Sequence, residues 1–360
     1  MFPKIYQPII YSLLIIVGIL LGSKLNSPKS LNYSTNHKVN TILDLINRHY
    51  VDSINYENFN DTIINSILES LDPHSTYISS EKIKSISEDM QGSFSGIGVQ
   101  FNIIDDTIVV IAAISGGPSE KLGIISGDRI IKVNNEDVAG IRIKNEGVFE
   151  RLRGEKNSSV NVTILRRGEK NNLTYKIIRD DIPLYSIDCA IMLTQEIGYI
   201  KINRFSATTF NEFHKNIKNL LEKNMKNIII DLRGNPGGYL GMAIKICDEL
   251  LESNNLIVYT EGRNREREDV YSGINGILKN NKVVVLIDEG SASASEIVAG
   301  AIQDNDRGLI IGRRSFGKGL VQEQIQLADG SAIRLTTQRY YTPSGRCIQK
   351  TYGKSNKEYY

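Results

Sequence analysis

Residues 283–304 read VVVLIDEGSASASEIVAGAIQD. Five apolar residues, Val283 to Ile287, form the pattern of a buried strand. They run into the small residues Gly290-Ser291-Ala292-Ser293-Ala294-Ser295, and a helix is expected from about Glu296. A strand delivered straight into a helix is the unit of an α/β core, and the flanking sequence repeats it. Ile228-Ile229-Ile230 predicts a second buried strand, entering the glycine-rich turn DLRGNPGG at 231–238. The next helix carries Leu240, Ala243, Ile244, Cys247, Leu250 and Leu251 on its apolar positions. Upstream, IGYIKI (197–202) reads as a strand, and Phe210, Phe213, Ile217, Leu220 and Leu221 fall on one helix face. A strand is expected at Leu256 to Thr260. Glu261 to Asp269, mixed in charge, is expected to be a solvated loop. QEQIQL and AIRLTTQRYY flank Asp329-Gly330, a strong hairpin signal.

The half before this core has another texture. Ser/Asn-rich residues 26–36 form a linker, after which Val39, Ile42, Leu45 and Ile46 fall at helical spacing. A second amphipathic stretch, Phe59 to Leu71, ends at Asp72-Pro73, where proline forbids continuation. These helices are too short for a core of their own and call for a neighbouring domain or a second copy of the chain. From Gly92 onward the pattern turns to period-2 apolar runs with glycine punctuation: SGIGVQFNII, TIVVIAAI, the turn at Gly116-Gly117-Pro118, a short helix Ser119 to Leu122, Gly123, the turn Ser126-Gly127-Asp128, a strand Arg129 to Val133, a helix near Gly147 to Arg151 and the hairpin SVNVTILRRGEKNNLTYKII. From about Ser87 to Arg179 this order resembles a PDZ domain of the circularly rearranged kind found in bacterial proteases. In that fold a glycine-flanked loop, here Ser95-Gly96-Ile97-Gly98-Val99, turns backbone N–H groups toward a peptide's terminal carboxylate while the peptide adds as a strand to the sheet edge.

Composition removes several classes of function. Forty-three Lys and Arg against forty-one Asp and Glu leave a net charge of +2, without the concentrated basic field that nucleic acid requires. Cys189, Cys247 and Cys347 are odd in number and widely spaced, so they give neither a disulfide framework nor a zinc site. At the N-terminus Lys4 precedes the apolar run IIYSLLIIVGILL, residues 9–21. This reads as an export signal or an anchor. The following Gly22-Ser23-Lys24-Leu25 lacks an A-x-A-like cleavage site, which favours an uncleaved anchor, and the positive-inside rule would then leave the remainder on the outer side. Residues 1–25 are thus read as signal anchor or signal peptide, 26–86 as linker and helical region, 87–180 as the PDZ-like module, and 181–360 as the α/β core.

His37, His49, His74 and His214 are scattered, none beside a plausible nucleophile, so neither a histidine-based triad nor a metal centre is easily assembled. His74 and His214 are read as structural. A serine activated by lysine needs a serine at a strand-to-helix turn, a desolvated lysine, and backbone donors for an oxyanion. The SASAS turn supplies the first and, through its helix N-terminus, the third. Lys318, in Phe316-Gly317-Lys318-Gly319, supplies the second, with glycines that let the backbone crowd the site. Spacing alone does not distinguish Ser293 from Ser291 or Ser295.

In this order the motifs resemble the carboxy-terminal processing, or tail-specific, proteases from about Val39 to Gln349. The resemblance implies a Clp/crotonase-like α/β serine protease core with a PDZ domain gating the way to its site. It puts the nucleophile on Ser293, the general base on Lys318, and the glutamine that holds the lysine on Gln322. The oxyanion donors would be the amide of Ala294 and one from the Gly237-Gly238 turn. It also implies protein or peptide substrates with free C-termini, in a periplasmic or other extracytoplasmic setting, and no cofactor or metal. Two other readings carry different consequences: a non-catalytic PDZ adaptor would not need Ser293, Lys318 and Gln322, and an acyl-CoA enzyme on the same core would call for paired carboxylates, for which Glu296 has no obvious partner. Cys347 stands where serine is frequent in the family.

Overall fold

The computed structural model describes Ser12, Ile16, residues 33–273 and 276–352, and Tyr359. The apolar run 9–21, with the proposed anchor, lies outside the described residues apart from Ser12 and Ile16. Among the described residues no helix is long and apolar enough to cross a membrane. The chain divides into two compact units, Met1–Ile63 and Ile64–Tyr360. In the first, α1 (Tyr33–His49) is the helix expected from its spacing, and it leaves Val39, Ile42 and Leu45 exposed. Helix α2 (Tyr56–Glu69) runs across the boundary between the units.

After the end of α2, the second unit continues with strand β1 (Thr76–Ile78) and helix α3 (Ser80–Gln91). Gly92, at φ 80°, closes α3 in the left-handed conformation that glycine adopts without strain. The PDZ-like module then leaves through β2 (Ser93–Gly96) and returns through β9 (Asp180–Pro183), and these two strands pair antiparallel. Between them lie β3 (Val99–Ile104), β4 (Thr107–Ala113), the short α4 (Pro118–Lys121), β5 (Arg129–Val133), β6 (Glu136–Asp137), α5 (Asn145–Leu152), β7 (Ser159–Leu165) and β8 (Leu173–Ile178). The sheet order is β3-β4-β5-β7-β8, with β6 beside β5. Its core is aliphatic and closed: Ile108, Val110, Ile130, Val148, Val162, Ile164 and Ile177 are all fully buried.

The α/β core is a five-stranded sheet in the order β10 (Ile187–Met192), β11 (Ile197–Ile202), β12 (Asn227–Asp231), β15 (Lys282–Ile287), β16 (Gly308–Gly312). Pairing is parallel from β11 to β16, with β10 antiparallel at one edge. Register aligns Ile200, Ile230, Val285 and Ile310 across four strands. The first three of these side chains are fully buried beneath α6 (Thr209–Glu222), α7 (Leu240–Leu250) and α8 (Ala294–Asp304). A second sheet, β1-β18-β13-β14 with β17 beside β18, uses β13 (Leu256–Gly262), β14 (Arg265–Tyr271), β17 (Leu320–Gln326) and β18 (Ala332–Tyr341).

The expected loop 261–269 is corrected here, because its second half belongs to strand β14, paired antiparallel with β13. An edge strand needs no apolar alternation when its charges find partners across the sheet. Arg267 lies 3.7 Å over the Tyr259 ring and bonds Asp269, and Arg265 pairs with Glu323.

Candidate active site

The α/β topology brings the ends of β12 and β15 side by side, and the two turns that follow them interlock. Asp288 anchors the junction: its Oδ1 accepts the amides of Gly234 (2.7 Å) and Gly290 (3.0 Å). These bonds hold its carboxyl below the usual range against the opposing effect of burial. The Asn235 carbonyl accepts the Ala292 amide at 3.0 Å. The SASAS serines separate at this point. Ser291, 0% exposed, donates its hydroxyl to the Leu232 carbonyl at 2.8 Å, and Ser295, also 0% exposed, donates to the Asn235 carbonyl at 3.0 Å. Both are braces between the two turns. Ser293 is partly exposed and stands at φ 56°, ψ −113°, a conformation in which non-glycine residues store strain.

Glycine permits the close packing behind it. A Cβ on Gly237 would sit 2.6 Å from the Ala292 carbonyl oxygen, 2.7 Å from the Ser293 Cβ and 2.9 Å from the Ala294 nitrogen. The Gly237 amide is occupied, donating to Asn235 Oδ1 at 2.8 Å. Among the described residues the amides of Ala294 and Gly238 donate to no protein acceptor. Of the two glycines put forward as oxyanion donors, Gly238 therefore has the open N–H.

Lys318 lies on a loop tied to the serine turn. The Phe316 amide donates to the Ser291 carbonyl (2.9 Å), the Gly319 amide to Gln349 Oε1 (3.0 Å), and the buried Tyr340 hydroxyl to the Lys318 carbonyl. Burial pushes the ionisation of Tyr340 well upward. Burial, reinforced by nearby Arg334, lowers the Lys318 ammonium's affinity for its proton, while Asp72 and Glu296 oppose the shift.

Gln322, the glutamine expected to hold the lysine, is itself fixed from the 72–75 turn. Its Nε2 donates to the His74 carbonyl at 2.7 Å. The 72–75 turn is thereby brought into the site, and sequence reading had assigned His74 only structural duty. Asp72 Oδ1 accepts the amides of His74 and Ser75, each at 2.8 Å, and Oδ2 accepts the Ser75 hydroxyl at 2.6 Å. Burial first, then the neighbouring Lys318, lowers the His74 pKa to about 4, so its ring is neutral at ordinary pH. The signal for this turn was the Asp-x-His-Ser spacing that closes an Asx turn. His214 stands outside the site, bonding Glu249 at 2.9 Å. Glu296, considered only as a lone carboxylate, accepts the Ser293 and Lys318 amides. Its signal was the S-x-x-E spacing of a helix capping box.

In the PDZ-like module, Ser95 and Gly96 belong to β2, Ile97 is buried, Gly98 has φ 74°, and Val99 opens β3. Ile97, Gly98 and Val99 line a cleft with Phe94, Phe101, Phe149, Leu152 and Arg153. Its free volume is only about 30 Å³. The Arg153 guanidinium lies over the rings of Phe94 (4.4 Å) and Phe149 (4.7 Å) and pairs with Glu88 of α3 at 3.3 Å.

Comparison with known proteins agrees with both halves. A PDZ domain family model matches residues 95–177, and the model of peptidase family S41 matches residues 196–355. A carboxy-terminal-processing protease of Bartonella bacilliformis is 36% identical over 348 residues, which cover 93% of this chain and 79% of that protein. The carboxy-terminal processing protease CtpB of Bacillus subtilis is 35% identical over 316 residues, covering 87% of this chain and 65% of that one. Among solved structures, the photosystem II D1 C-terminal processing protease superposes with a TM-score of 0.50 at 26% identity, over 86% of this chain and 83% of that one. With its serine turn, its lysine loop and its PDZ module in the family's order, the chain belongs to the carboxy-terminal processing proteases, serine peptidases of family S41.

Proposed function

We propose that the chain is a serine endopeptidase that cleaves extracytoplasmic proteins at or near their C-termini, using Ser293 as nucleophile and Lys318 as general base, with the PDZ module receiving the substrate's tail. The observation that carries this reading is the separation of the three serines. Ser291 and Ser295 are buried and committed to carbonyls, whereas Ser293 is accessible, strained and backed by the open Ala294 amide.

The chemistry follows from these groups. Neutral Lys318 takes the Ser293 hydroxyl proton as Oγ attacks the scissile carbonyl carbon. The negative charge that moves to the carbonyl oxygen is met by the Ala294 and Gly238 amides and by the positive end of α8. Collapse breaks the C–N bond, and the lysine ammonium returns its proton to the departing amine. Water then gives a proton to Lys318 as it attacks the acyl ester, the ester C–O bond breaks to free the new C-terminal carboxyl, and the lysine ammonium returns its proton to Ser293 Oγ.

Tail recognition is tested with two substrates identical except for a free or amidated apolar C-terminus. The free carboxylate should be cleaved about tenfold more efficiently, the effect of one charge-assisted contact. Equal rates would remove the PDZ module from substrate selection. The extracytoplasmic setting rests on Lys4 and the apolar run 9–21. The full chain should sediment with membranes and be released when 1–25 are deleted, and a full chain that stays in the supernatant would contradict an anchor.

A further inference from the structure

Glu296 does more than a helix cap requires. A capping-box glutamate returns one bond to its N-cap amide, and Glu296 Oε2 does so to Ser293 at 2.8 Å. The same oxygen accepts the Lys318 amide at 2.8 Å, while Oε1 accepts the Gly317 amide at 2.7 Å and the Ser315 hydroxyl at 2.8 Å. Both carboxylate oxygens are thus filled by four donors, three of them on the lysine loop. Glu296 is only 4% exposed, so water does not replace a lost bond cheaply. No arginine or lysine side chain shares the carboxylate among the described ion pairs. Its partners are main chain and one hydroxyl, so they fix position more than charge.

Resting on the Ser293/Lys318 reading, we propose that Glu296 is a positioning residue of the reaction. Its carboxylate docks the Ser315–Lys318 loop onto the serine turn and sets where the lysine stands relative to the Ser293 hydroxyl. A Gln at 296 keeps the acceptor facing Ser315 and Gly317 but turns an amide NH2 toward the N–H groups of Ser293 and Lys318. Fold and cap shape are retained while the two central bonds are lost.

The test compares the full chain with Glu296→Gln, Ser315→Ala, Ser293→Ala and Lys318→Ala, using an unstructured protein with a free apolar tail and hydrogen exchange across 315–319. Glu296→Gln should lower kcat by about ten- to hundredfold, with KM within about twofold. Ser315→Ala, losing one bond of four, should fall by about threefold to tenfold. The groups facing Lys318 are Arg334, Asp72, Glu296 and the uncharged His74. Removing one of the two anions leaves the ammonium less supported, so the pH of half-maximal kcat in Glu296→Gln should move down. A mere loss of stability would not produce that shift.

The Gly317 and Lys318 amides should exchange about tenfold faster in Glu296→Gln, as expected for an undocked loop. This readout needs no turnover, so unchanged exchange at 317–318 overturns the proposal on its own. Parental kcat and pH profile in Glu296→Gln, beside inactive Ser293→Ala and Lys318→Ala, overturn it while leaving the dyad intact. Activity retained in both of those variants removes the dyad reading instead.

Discussion

Three serines within five residues illustrate how burial divides labour among identical side chains. Ser291 and Ser295 each donate to a buried carbonyl of the facing turn, and replacing either removes one of the two donors that carbonyl has, Ser291 also being the acceptor of the Asp288 amide. Ser291→Ala and Ser295→Ala should each cost about 0.5–2 kcal/mol of unfolding free energy, measured by denaturant titration, while cleavage per folded molecule stays within about threefold. A large stability loss in Ser293→Ala instead would mean that the accessible hydroxyl is the structural one. The residue types were legible in the sequence. Which serine was accessible was not, because the choice depends on carbonyls at Leu232 and Asn235, some sixty positions away, that only the pairing of β12 with β15 brings near. The bonds of Gln322 to His74 and of Glu296 to the lysine loop were hidden for the same reason, each joining segments distant in sequence.

At the scale of elements, the site is a product of two strand-to-helix turns pressed together, and Gly237 is where they touch. Its φ of 94° and the 2.6–2.9 Å that an added Cβ would leave to backbone at Ala292 and Ala294 allow no other residue without movement. Gly237→Ala should destabilise by more than about 2 kcal/mol and abolish cleavage even in the fraction that remains folded, since any relief must shift the Ser293–Ala294 peptide. A variant that melts and cleaves like the parent would show that the two turns are not rigidly coupled. The main strands and helices of this core were readable because their apolar periods are strong. Strand β14 was not, because REREDVY carries charge on both faces and its strand character comes from the partner β13. The short β16, GLIIG, also passed unread: it gains its place from parallel pairing with β15.

In the folded unit that begins at Ile64, the module that would receive a substrate tail is inserted through the β2–β9 ribbon. The strands that carry Gln322, Arg334 and Tyr340 belong to a sheet separate from the one that presents Ser293. Each half has its own closed hydrophobic core, so changes in the serine or lysine should leave the fold of both halves undisturbed. The order of the motifs along the chain was enough to place it among tail-specific proteases. Whether its lysine and serine act as one unit is a matter of chemistry, and it is settled by cleavage of an unstructured protein with a free apolar C-terminus by the parent, Ser293→Ala and Lys318→Ala, each checked for an intact fold by circular dichroism. The account predicts a parent that cleaves and two folded variants slower by at least about a thousandfold, the loss typical when one member of a nucleophile–base pair is removed; cleavage by Ser293→Ala at the parental rate would contradict it.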